Sequence, residues 1–141
     1  MEQRGINFRA WDNVTQKMYK VVSLHWRCDY RDDINPFDKI VIDADGFENR
    51  DHTQVEITQS TGVFDKNGKE IYEGDILEYI APGNGFRATY LVWYDVGAFR
   101  IRTNYAFDSG YILGTFKGRA YEVIGNKFEN LEKWKQYSDK Q

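Results

Sequence analysis

What this sequence has little of narrows it first. Cysteine occurs once, as Cys28, among 141 residues. That excludes an intramolecular disulfide framework and any zinc site built on several thiolates, and it suits a reducing interior. Positive charge is in deficit: the formal net charge is -3 and the pI about 5.4. No global field therefore draws the chain onto nucleic acid or an anionic membrane, and such a contact has to be local. No stretch approaches the roughly 20 apolar residues of a membrane span, and the opening MEQRGINFRAW has no signal-peptide core. The expectation is a cytoplasmic protein that makes no membrane contact.

Proline is nearly absent, with two residues, while aromatic residues are abundant: Tyr 10, Phe 9 and Trp 4. Flat and β-branched side chains fit a pleated, half-buried surface, so the composition leans toward strands. At 41% hydrophobic residues the chain is too apolar for disorder. Its length fits one domain that buries roughly 68% of its unfolded surface.

Periodicity supports this. GINFRAWD alternates Ile6, Phe8 and Ala10 against Asn7 and Arg9, NVTQ is a turn, and KMYKVVSLHW continues as a second strand. Val22, Leu24 and Trp26 are expected on one face of that strand, with Tyr19, Val21, Ser23 and His25 on the other. RCDYRDDINPFDK reads as a surface loop or a short helical turn, KIVID as a strand ending at DADG, FENRDHTQ as a polar run, and VEITQSTGVFD as another strand. In TGVFDKNGKEIYEGDILEY, Asn67-Gly68 predicts a type I′ hairpin turn and Gly74-Asp75 a sharp bend into a new strand.

ATYLVWYD is apolar on both faces, as a central strand is. GAFRIRTNY places Phe99 and Ile101 inward, with Arg100 and Arg102 outward together. YILGTF and YEVIG are further short strands. NKFENLEKWKQY predicts a closing helix capped by Asn126 with Glu129 at the capping-box position and Phe128, Leu131 and Trp134 buried. The sum is a mainly β fold, a small barrel or roll with an N-terminal hairpin subdomain over 1–57 and a barrel plus helix over 58–141.

TGVFDKNGKEIYEGDI together with YEVIGNKFEN resembles the YopX family of bacteriophage and prophage proteins, and FRAWDNVTQKMY resembles that family's opening. The resemblance runs over nearly the whole chain and is weakest from Cys28 to Asp51. It implies a β-rich chain ending in an SH3-like barrel, encoded by a phage or prophage and acting in the cytoplasm of the bacterial host. It brings no catalytic residues, and fold alone assigns no activity.

Candidate chemistry is sparse. DKNGKE and DADG lack the ligand spacing of an EF-hand, and PGNGFRATY lacks both the spacing and the helix of a phosphate loop. His25, Cys28 and His52 have no standard zinc spacing, and no motif accompanies Cys28 as a nucleophile. Glu73 and Asp75 flank Gly74 and would pair as carboxylates for Mg²⁺ or acid–base work, although Asp after Gly more commonly holds its own turn. Arg100, Arg102 and Arg87 near tyrosines form the best functional hint, a basic aromatic face of the kind that binds single strands. The plainer reading is a solvated face paired to nearby acids.

These residues assign no catalytic, metal or cofactor site. The leading expectation is a non-enzymatic protein-binding module whose partner is a phage or host protein, or a second copy of itself. A single-stranded nucleic-acid binder and a metal-dependent enzyme at Glu73 and Asp75 are the alternatives.

Overall fold

The first two strands meet as a hairpin. β1 (Phe8–Asp12) and β2 (Lys17–Trp26) pair antiparallel with Asp12 opposite Lys17. Asp12 itself reverses the chain: its carbonyl accepts the Gln16 N–H at 2.8 Å, and its carboxylate takes the Val14 N–H and the Thr15 hydroxyl. The structure, a computed structural model, describes residues 5–26, 37–104, 110–114 and 120–134. The acidic segment 27–36 with Cys28 lies outside the described residues.

Two compact units divide the chain, Gly5–Gln59 and a second that begins at Ser60. The first unit adds β3 (Phe37–Asp43), β4 (Phe47–Arg50) and the start of β5 (Val55–Phe64), in the order β4-β3-β2-β1-β5. Ala10, Ile40, Ile42 and Val55 form its core, with Tyr19, Val21, Leu24 and Ile57 packed against them. This corrects the facing expected for β2. A bulge between Val21 and Ser23 shifts the register, so Val21 and Leu24 both reach the core while Val22 is exposed. An extra residue in one strand breaks strict alternation. FENR, read as a polar run, is the edge strand β4; its ladder to β3 holds it, since most of its side chains are exposed.

The second unit holds the rest of β5, which pairs with β6 (Glu70–Tyr72). It also holds a sheet of β7 (Asp75–Ile80), β8 (Arg87–Asp95), β9 (Ala98–Arg102), β10 (Tyr111–Ile112) and β11 (Tyr121–Asn126), in the order β10-β9-β8-β7-β11. As its two apolar faces predicted, β8 is central. Ile71, Leu77, Tyr90, Val92, Ile101 and Tyr121 anchor the core, with Phe99 packed on it. The barrel expected here is not closed. β10 and β11 end the sheet on opposite sides and no ladder joins them among the described residues; β10 is two residues long, too short a rim for the continuous staggered ladder that closure needs.

Two further expectations change. Asn67-Gly68 is not a type I′ turn: Gly68 has φ +81, but Asn67 is not among the residues with positive φ. The Gly68 N–H reaches the Asp65 carbonyl at 3.0 Å and the Asp65 N–H reaches the Lys69 carbonyl at 2.8 Å, a three-residue loop with glycine in the left-handed position. The two-residue turn with both φ positive is Val96-Gly97, at +50 and +74, between Asp95 and Ala98.

The closing helix is also shorter than expected. The Asn126 side chain accepts the Phe128 and Glu129 N–H groups at 3.0 Å each, but residues 127–129 form a turn and no helix starts there. Asn130 lies outside helical geometry at φ -138, and the helical element among the described residues is a 3₁₀ turn, Leu131–Lys133. Asn130 turns back so that its Oδ1 accepts the Asn126 N–H. Leu131, expected in the buried stripe, is 52% exposed. The last part of the expected helix, 135–137, lies outside the described residues.

Candidate functional site

The dense turn chemistry of residues 61–79 is spent on the fold. Asp65 is buried; its Oδ1 accepts the Asn67 and Lys69 N–H groups and its Oδ2 the Val123 N–H at 3.0 Å. Burial pushes its pKa up, but the N–H groups of Val123, Lys69 and Asn67 outweigh that and hold the carboxyl below the usual aspartate value. One side chain thus shapes the loop and ties it to β11. Asp75, also buried, accepts the Tyr72 N–H at 2.8 Å across Gly74, whose φ is +86. This is the turn-holding role weighed for that position against paired carboxylates. Glu73 is half-buried beside it.

The first unit carries a polar pair that periodicity did not reveal. Asp12 is fully buried and Arg50 nearly so, joined in a two-pronged bridge with Nε–Oδ1 at 2.9 Å and Nη2–Oδ2 at 3.1 Å. Burial raises the Asp12 pKa. Arg50, the Thr15 hydroxyl and the Val14 N–H reverse the sign and hold it low. The residues are 38 apart in sequence, so no local pattern joins them.

Arg50 also lines an open cleft of about 600 Å³ shared with His25, Trp26, Asp38, Lys39, Asn49, Asp51 and Gln54. Trp26 is 66% exposed at this cleft, and the same unit exposes Val22 and Phe47, the latter by 73%. The Ser23 hydroxyl and His25 Nε2 lie 3.2 Å apart. No cluster of three metal-ligating side chains occurs among the described residues. The structure thus puts His25 in an open cleft, and Cys28 lies outside the described residues.

The arginines singled out in the second unit do share a face. Phe99 and Ile101 point into the core, so Arg100 and Arg102 emerge opposite, alongside Trp93, which pairs with Arg100 in register. The plainer reading of a solvated arginine paired to an acid fits Arg87, whereas Arg100 and Arg102 make no ion pair among the described residues. The Arg102 guanidinium lies over the Trp93 ring at 5.0 Å and the Trp134 ring at 5.3 Å, and its Nε is buried with no hydrogen-bond partner. Trp134 is held in turn by Nε1–H to the Arg102 carbonyl at 3.1 Å and by the Asn104 side chain on its own carbonyl at 2.9 Å. Arg100 Nε donates to the Asp95 carbonyl at 3.1 Å. Arg87 lies 3.9 Å from Glu78.

Comparison with known proteins places this architecture. The family described as YopX protein matches residues 7–134. The crystal structure of protein EF1440 from Enterococcus faecalis is similar, with 30% identity and a TM-score of 0.65, over 94% of this chain and 100% of that one. So is that of protein yopX from Bacillus subtilis, with 17% identity and a TM-score of 0.60, over 92% of this chain and 95% of that one; at that identity the likeness is one of fold. No match is found among curated proteins.

Proposed function

We propose a function from one premise: this chain belongs to the YopX family. It acts as a non-enzymatic accessory protein of a phage or prophage, binding a phage or host protein in the bacterial cytoplasm. The observation that carries this reading is Trp26, 66% exposed at an open cleft whose wall includes the immobilised Arg50. Trp and Arg are the residue types that most often dominate binding energy at protein interfaces, and a guanidinium already fixed by Asp12 loses little freedom when a partner arrives.

The non-enzymatic part of the reading is supported by how the buried carboxylates are used. Asp12, Asp65 and Asp75 each accept backbone N–H groups of their own turns, which leaves them serving structure. An acid–base or metal role needs carboxylates directed at a reacting group.

The test is capture of proteins from a lysate of bacteria with an induced prophage. Immobilised wild type is expected to retain a protein that Trp26→Ala, folded to the same thermal midpoint, does not. Equal capture by the two chains would overturn the assignment of the surface.

A further inference from the structure

Arg100 and Arg102 are held in place by the fold, and among the described residues neither is given a carboxylate. Neither makes an ion pair with a described residue: Arg100 is fixed by the Asp95 carbonyl, and Arg102 is fixed between two indole rings. An arginine on a strand normally wanders in solvent or closes on a nearby acid, and this chain has 22 acids. Holding two guanidinium groups in place on one face, two residues apart and without an ion pair to any described residue, lowers the cost of ordering them around an incoming anion.

We propose that Arg100 and Arg102 form a receptor for the carboxylates of an acidic protein segment bound in extended form. Arg102 Nε is buried, so an anion meets this group end-on, through its two terminal nitrogens, in the forked geometry that matches a carboxylate. The side chains of alternate residues on an extended segment point to the same side, with the same spacing as Arg100 and Arg102 themselves, so acids at every second position meet both arginines. The site lies on the second unit and shares no residue with the Trp26 surface.

The rings favour a protein ligand over a nucleic acid. Single-strand binders offer open aromatic faces on which bases stack. Here Trp93 is used against Arg102 on one side and crowded by Gly110 on another, where an added Cβ would come within 2.2 Å of its Cη2. Trp134 is spent on Arg102 as well. A guanidinium pair without a stacking platform, in a chain of net charge -3, recognises a short acidic segment better than a long phosphate backbone.

The experiment is fluorescence anisotropy of the full chain with two labelled probes of equal charge, a peptide of alternating Glu and Ser and an oligothymidylate. Wild type is expected to bind the peptide, more weakly as salt rises, and to bind the oligothymidylate less well. Arg102→Lys, which keeps the charge and loses the fork, and Arg100→Gln, whose side chain makes one backbone hydrogen bond, are each expected to weaken peptide binding about tenfold. Trp26→Ala is expected to leave it unchanged. Absence of peptide binding by wild type, or peptide binding that Arg100→Gln leaves intact, overturns the proposal. Tighter binding of the oligothymidylate overturns it in favour of a phosphate ligand.

Discussion

At Gly125 the absence of one methyl group decides how the chain ends. A Cβ there would lie 2.6 to 2.8 Å from Oδ1, Cβ and Cγ of Asn130, and Asn130 cannot retreat without giving up its contact with the Asn126 N–H. Gly125→Ala is therefore expected to cost about 1–3 kcal/mol by overpacking, measured by denaturant unfolding. Val96 presents the opposite case. It is a β-branched residue at φ +50, 80% exposed, where a type I′ turn favours asparagine. Val96→Asn is expected to raise stability by about 1 kcal/mol through relief of that strain, read as a higher denaturation midpoint. Sequence reasoning placed the type I′ turn at Asn67-Gly68 because Asn-Gly is its strongest local signal. The true site was hidden because valine is the wrong residue for it, and tertiary pairing of β8 with β9 overrides the propensity.

Among elements, the loop at 65–69 and strand β11 depend on one carboxylate. Removing it in Asp65→Ala leaves the N–H groups of Asn67, Lys69 and Val123 without their acceptor. The expected loss is about 2–3 kcal/mol, with faster amide exchange at Val123 than at Val92 of the central strand. Strand existence was legible for β1, β2, β5, β8 and β9, where alternation or a doubly apolar run is strong. β4 was not, because an edge strand held by its ladder needs no apolar pattern: FENR shows none. The bulge at Val22 was equally silent, since VV reads the same in either register. The helix was overcalled because Asn126 and Glu129 do make the hydrogen bonds of a cap, and the same bonds close the turn at 127–129 without a helix following.

Over the whole molecule, each unit contains a buried aspartate with a lowered pKa, Asp12 in the first and Asp65 in the second. A folded pKa below the unfolded one means that the unfolded chain binds more protons between the two values. The stability these groups contribute is thus complete above the unfolded aspartate value of ~3.9 and is lost as pH falls through the lower folded values. Unfolding free energy is expected to be level near neutrality and to drop below about pH 4, and Asp65→Asn is expected to flatten part of that drop.

The candidate site was half legible at this scale. The shared face of Arg100 and Arg102 followed from alternation alone. Its stacking between Trp93 and Trp134 did not, because Trp134 is 32 residues from Arg102 and only the fold brings them together. Trp26 was visible as a strand residue but not as an exposed one, since its exposure follows the irregular pairing of His25 and Trp26 with β3.

The most direct test of the protein-binding reading is hydroxyl-radical footprinting of the wild-type chain, alone and in complex with the protein it captures from induced prophage cells. Trp26 is expected to lose reactivity in the complex while Val96, on the other unit, keeps it. Unchanged reactivity at Trp26 would contradict the account.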